Sequence, residues 1–339
     1  MNTLLLRLLA LFLIPASFTT YAATQADQAI ADGILLLGNG AEPPSLDPHI
    51  NTAVNGSKIV STLIEGLIAY HPSDDNLPEP GMAESWSHAG NHQKWTFTLR
   101  DAKWTNSEPV TAENFLYSYQ RILSPQLGAR YAEMLFIIRG AKAFNNGKVT
   151  DFSEVGVKAI DSKTLVIELN GPTPYFLNIL KHHSWHPVNP TAIEAAGGMT
   201  KPDSNWTRDN YVSNGPFRLK EWKMNQVIEV ERNPDYWDAK TVKLNGIKFF
   251  PIENNNTEDQ SFSSGMLHYT ATVPPELISV YKERSESSLR IDPYLGTYFF
   301  RLNTTVPPLN DKRVRQALSL AINRKVITHR VTKGGQTPA

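Results

Sequence analysis

The 339-residue sequence contains no cysteine. That absence removes disulfides, thiol nucleophiles, zinc–thiolate sites and a lipid-attachment cysteine from consideration. An excess of either charge is missing as well: 33 Lys and Arg face 33 Asp and Glu. No field is present that would draw nucleic acid or an anionic membrane, and neither is expected as a partner. Beyond the N-terminus, no apolar run is long enough to span a bilayer. The sequence also has no Gly-x-Ser-x-Gly elbow, no His-Glu-x-x-His helix and no phosphate-binding glycine loop, so an enzyme is not expected.

What is present begins with an export signal. Arg7 supplies a positive n-region, Leu8 to Ile14 an apolar h-region, and Thr20-Tyr21-Ala22 a small-residue cleavage site. Residues 1–22 are therefore expected to be removed, leaving 32 basic against 33 acidic groups once Arg7 is gone. The remainder is long enough for two ordinary domains.

The most informative run is Asn214 to Asp238, nearly alternating between apolar and polar residues. It predicts a hairpin, with Phe217, Leu219 and Trp222 on one strand, Val227, Ile228 and Val230 on the other, and a turn near Met224 and Asn225. Asn233-Pro234 then breaks the strand before Tyr236-Trp237. Upstream, Ile34 to Gly38 reads as a buried strand. Ser57 to Ala69 has helical spacing, with Ile59, Leu63, Ile64 and Leu67 on one face. Trp95, Phe97 and Leu99 alternate as a half-buried strand. Thr111 opens a helix as its N-cap. Val155 to Asp161 and Thr164 to Leu169 form a second hairpin, and Val242 to Pro251 another strand. Asp47, in Glu42-Pro43-Pro44-Ser45-Leu46-Asp47-Pro48, reads as a turn cap. His182, His183 and His186 tempt a metal reading. In an extended segment adjacent histidines face opposite ways, and no carboxylate or cysteine lies nearby, so a metal site is the lesser reading.

Several of these runs stand in a recognisable order. Glu42 to Pro48, Glu65-Gly66-Leu67, Pro80 to Trp86, Lys94 to Trp104, Asn214 to Trp237, Asp292 to Asn303 and Pro308 to Leu318 together resemble the family 5 extracellular solute-binding proteins, above all their periplasmic oligopeptide-binding branch. The resemblance covers essentially the whole chain after the signal. It departs at Met266 and His268, where the family usually carries acidic residues. It implies an α/β, periplasmic-binding-protein type II-like fold with several lobes of mixed sheet and flanking helices. Lobe I would comprise 23–65 and 190–295, lobe II 66–189, and 296–339 the start of a third lobe left incomplete. Family members run on the order of 500 residues, beyond the single-domain range, so the chain is expected to be C-terminally truncated, poorly packed after Gly296 and weak in binding.

The implied function is a monomeric periplasmic receptor, not a lipoprotein, that takes oligopeptides through their main chain and delivers them to an inner-membrane ABC permease without a cofactor. Haem, nickel or another small solute is the alternative within the family, and the histidines keep it open. Carbohydrate stacking on Trp86, Trp95, Trp104, Trp185, Trp222 and Trp237 is a further reading, weakened because most of them fall in core signatures. The residues that the resemblance places at the ligand are Thr52, Ala53, Val54, Tyr131, His182, Ala271, Thr272, Gly296 and Arg301, the last on an expected strand.

Overall fold

The computed structural model describes residues 23–202, 205–209, 211–284, 288–292 and 294–339; the expected signal, 1–22, lies outside the described residues. The strands are β1 (Ile34–Gly38), β2 (Ile68–Tyr70), β3 (Pro78–Pro80), β4 (Ala83–His88), β5 (Lys94–Leu99), β6 (Val157–Ala159), β7 (Thr164–Glu168), β8 (Phe217–Lys223), β9 (Val227–Arg232) and β10 (Gly246–Phe250). They make one sheet in the order β1-β10-β9-β8, a second in the order β4-β5-β7-β6, and a β2-β3 ribbon. In the first sheet only the β1–β10 pair is parallel.

β1 explains why Ile34 to Leu37 is continuously apolar. Leu35 and Leu37 pack into the core of the first sheet, while Leu36 turns to a smaller cluster with Leu267 and with Ala29 of α1 (Gln25–Ala31). A strand covered on both faces needs apolar residues at every position. The hairpin β8–β9 forms as expected, pairing Leu219 with Val230 and Trp222 with Ile228. Its turn carries Asn225 at φ 56°, a left-handed conformation that asparagine tolerates better than most residues. Ile228 and Val230 are buried, while Glu229 and Glu231 face outward to Lys220 and Arg218, each at 2.7 Å.

The second sheet centres on β5, where Trp95, Phe97 and Leu99 are buried and the residues between them are not. Across it lies α3 (Ala112–Leu123), which buries Phe115, Tyr119, Ile122 and Leu123. Its start is held by Asn114, whose Oδ1 accepts the N–H of Thr111 at 3.1 Å and the indole N–H of Trp104 at 2.9 Å. One apolar cluster runs from Leu67 to Trp185; another combines Leu46 to Ile64 with Val188 to Phe249.

At the joint between them the expected helix is shorter and earlier than its spacing suggests. α2 spans Val54–Leu63, and Ile64 is already extended at φ −126° and ψ 131°. The cause is tertiary. Gly215 N–H donates to Leu63 O at 2.8 Å, and the Asn214 side chain accepts from Glu65 N–H at 3.0 Å and donates to Glu65 O at 3.1 Å. The backbone groups that would have continued the helix are thus taken by the loop before β8. The Glu65 carboxylate, half-buried, accepts from Tyr236 Oη at 2.5 Å and Trp237 Nε1 at 2.7 Å.

The segment 288–339 differs. None of its described residues is buried. The strand expected around Arg301 is absent: 294–303 has no ladder partner, and Tyr294, Leu295, Tyr298, Phe299 and Phe300 are exposed. A strand without a neighbour leaves its own N–H and C=O groups unpaired, so local alternation cannot hold it. A helix does form at Lys312–Ala321, started by Asp311 Oδ1 accepting from Arg313 N–H at 2.8 Å, but Ile322 ends it with an extended backbone. No helix among the described residues is long and apolar enough to cross a membrane.

Candidate ligand-binding site

The loop from Gly38 to Ala53 joins β1 to α2 and is braced from within. Asn51, almost fully buried, accepts from Ala53 N–H at 3.2 Å and donates to Ala53 O at 3.1 Å and to Ser57 Oγ at 3.0 Å. Gly56 leaves room for this, since a Cβ there would stand 2.3 Å from Asn51 Oδ1. Asn39 donates to Ala41 O and Asn55 O, and Asn55 donates to Ala41 O at 2.8 Å. Thr52 and Ala53 are consequently held half-buried, with Val54 74 % exposed at the front of α2. An aliphatic side chain that exposed, on a rigid helix start, is available for contact.

Tyr131 approaches from the short 3₁₀ turn Arg130–Leu135, and its hydroxyl donates to Thr52 O at 3.4 Å. Its ring meets the edges of His182 and His183, with centroids 5.2 and 5.9 Å away. The two histidines do not face opposite ways, as an extended segment would require. A 3₁₀ turn at His183–Trp185 sets their rings 4.1 Å apart. His183 Nε2 donates to Asn51 O at 3.0 Å, and His182 Nδ1 accepts from Ser184 N–H at 3.2 Å, so both rings are engaged by main chain. Burial pushes His182 down to about 4, with the neighbouring His183 adding to it, and burial lowers His183 as well. These are neutral imidazoles near pH 7. No grouping of three or more metal-ligating side chains occurs among the described residues.

Beneath the loop lies a buried polar network. Arg121, wholly buried on α3, donates to Asp47 Oδ1 at 3.0 Å and Oδ2 at 2.6 Å; Asp47 Oδ2 also accepts the Trp206 indole N–H at 3.0 Å. His49 Nδ1 accepts from Arg121 at 2.8 Å, and its Nε2 donates to His186 O at 3.1 Å. Burial raises the Asp47 pKa, but the Arg121 guanidinium overrides it and holds the carboxyl at about 2. Burial, reinforced by Arg121, keeps His49 neutral down to about 3. Asp47 does cap a turn, accepting His49 N–H at 2.9 Å, yet its larger work is to tie the loop to α3 and Trp206.

Ala271 and Thr272 border the same loop: a Cβ on Gly40 would stand 3.6 Å from the Ala271 methyl. Both donate their N–H to Glu258 Oε2, at 3.0 and 3.4 Å. Thr52, Ala53, Val54, Tyr131, His182, Ala271 and Thr272 are thus gathered around residues 38–55. Gly296 and Arg301 are not: both are exposed in the strandless stretch 294–303, and no described contact joins them to the group. Sequence reasoning missed Asn51, Arg121 and Glu258, whose partners lie far away in the chain or are backbone atoms, and considered His183 only in the lesser metal reading. The tryptophans Trp95, Trp104 and Trp185 are buried and offer no face to a sugar.

Two α/β units joined at extended crossings, with their candidate contacts gathered on the loops at the joint, have the architecture of a type II periplasmic binding protein. The chain belongs to the bacterial extracellular solute-binding proteins, family 5, whose middle-region model matches residues 78–339. It is 41 % identical over 312 residues to the periplasmic oligopeptide-binding protein OppA of Escherichia coli (strain K12), covering 90 % of this chain and 55 % of that protein. To OppA of Salmonella typhimurium it is 39 % identical, covering 96 % and 60 %. The crystal structure of Haemophilus influenzae OppA in complex with RPPGFSPFR superposes with a TM-score of 0.84 at 35 % identity, over 90 % of this chain and 59 % of that one. The Escherichia coli murein tripeptide binding protein MppA gives the same TM-score at 32 % identity, over 90 % and 59 %. The chain therefore spans about 55 to 60 % of the length of these curated relatives.

Proposed function

We propose that the chain belongs to a periplasmic receptor of an ABC importer, binding oligopeptides through their main chain and passing them to an inner-membrane permease. The observation that carries this reading is the convergence of Tyr131, His182 and Ala271–Thr272 on the braced loop and helix start that carry Thr52, Ala53 and Val54, in a member of a family of solute-binding proteins. Such a receptor needs positioned backbone groups and hydrated room for side chains, and no reacting group. Lobe I is assigned to 23–65 and 190–295, lobe II to 66–189, and 296–339 to the start of a third lobe. The separation of the two large apolar clusters supports the first boundary. Closure of the lobes on a ligand would be a hinge motion at 64–66 and 187–190. Residues 1–22 are assigned to a cleaved export signal, supported by the Arg7 and Leu8–Ile14 pattern and by the periplasmic relatives.

The test is mass spectrometry of ligands released from protein isolated from the periplasm, followed by calorimetry with tri- to pentapeptides. A ladder of mixed peptides is expected; a co-purifying metal or haem without peptide would overturn the reading.

A further inference from the structure

We propose that Glu258 is the positioning residue of the ligand site, holding Ala271–Thr272 in the shape that meets a bound main chain; this rests on reading that segment as part of a peptide site. Glu258 stands on the helix Asn255–Ser263 and is fully buried, a setting in which a carboxylate is retained only with partners. Its Oε2 takes the N–H groups of both Ala271 and Thr272. Its Oε1 lies against the end of β1, where a Cβ on Gly38 would stand 2.0 Å away. Glycine is required at position 38 because the carboxylate occupies the space of a side chain.

The other end of the same segment is pinned by His268. Its Nδ1 accepts from Leu36 N–H at 2.9 Å, its Nε2 donates to Ala26 O at 3.0 Å, and its own N–H donates to Leu36 O at 2.9 Å. Tyr269 then bridges Leu37 in parallel, with Gly38 N–H donating to Tyr269 O at 2.8 Å. Beyond Tyr269 the segment leaves β1, and Glu258 takes over as acceptor. A side chain thus holds each end of 268–272. Because both N–H groups are committed to the carboxylate, a ligand main chain meeting Ala271 and Thr272 must present donors to their carbonyl groups.

The experiment compares Glu258→Ala, Glu258→Gln and Gly38→Ala with wild-type protein isolated from cells. It measures tripeptide affinity by calorimetry and amide hydrogen exchange across 268–275 by mass spectrometry. Glu258→Ala is expected to weaken binding about tenfold, the loss of roughly one charge-assisted contact, and to speed exchange at 271–272. Glu258→Gln, which keeps an acceptor oxygen, should restore affinity to within about twofold. Gly38→Ala, which keeps the carboxylate but forces it to shift, should move both readouts in the direction of Glu258→Ala. Unchanged exchange in Glu258→Ala overturns the proposal, as does faster exchange with unaltered affinity. If the wild type binds no tripeptide, as the weak binding expected of this chain allows, the exchange result alone decides whether Glu258 holds the segment.

Discussion

The helices Ala112–Leu123 and Lys312–Ala321 have much in common as sequences and little as structures. Each starts at a polar residue that holds the first turn, and each carries an apolar stripe. The first buries seven of its twelve residues against β6, β7 and their surroundings; the second buries none. The difference is in what lies opposite. Caps and spacing are enough to select a helix, whereas the free energy of burial, about 25 cal/mol per Å², exists only where another element removes the stripe from water. Leu318 has the side chain of a core residue and stands 46 % exposed, and Val314 is no more than half-buried.

The strongest way to break the well-packed half is to leave one of its charges alone. Arg121→Met should destabilise by about 3–5 kcal/mol in denaturant unfolding, because Asp47 is left buried without its charge partner. A double variant that also carries Asp47→Leu should recover part of that loss. Next in size, and a direct measure of the contrast between the helices, Ile122→Ala should cost about 2–4 kcal/mol, while Leu318→Ala should stay within about 0.5 kcal/mol. Equal effects at the two positions would mean that the second helix is covered in solution.

A pH experiment sharpens the same contrast at the joint. Burial raises the Glu65 carboxyl from 4.5 to about 7, only partly offset by the hydrogen bonds from Tyr236 and Trp237. The folded state thus keeps a proton that the unfolded chain releases above 4.5, and stability contributed below that pH is lost as pH rises toward 7. Glu65→Gln should therefore gain on the wild type across pH 4.5 to 7, by about 1–3 kcal/mol at the upper end. A pH-independent difference would contradict this. In the exposed half a local effect is expected at the helix start: Asp311→Ala should fray Lys312–Ala321 at a local cost of about 1 kcal/mol, visible in amide exchange and not in the global transition.

The parts of the fold that were legible in the sequence are those decided by neighbours in the chain. The alternation of Trp95, Phe97 and Leu99, the β8–β9 hairpin with Asn225 in its turn, and the start of α3 follow from period and local hydrogen bonding. The end of α2 did not, because Asn214 and Gly215 capture its backbone groups from about 150 residues away. The side-by-side setting of His182 and His183 depends on a turn that no periodicity marks. The strand expected at Arg301 failed for the complementary reason: a pattern of side chains cannot form a ladder by itself. Within the candidate site, Tyr131 and Thr52 came from the family resemblance, whereas Arg121 and Glu258 became visible only through contacts distant in sequence.

His268 bears on a different property, resistance to self-association. β1 ends its sheet, and the open side of such a strand is a template on which a second chain could grow by pairing. Here that side is closed by an imidazole seated on Leu36 N–H and by a single bridge at Tyr269. An incoming strand would have to evict a ring hydrogen-bonded at both nitrogens before making its first rung. The imidazole, together with the main chain of 268–269, thereby does the protective work that other sheets assign to a proline, a bulge or an inward-pointing lysine.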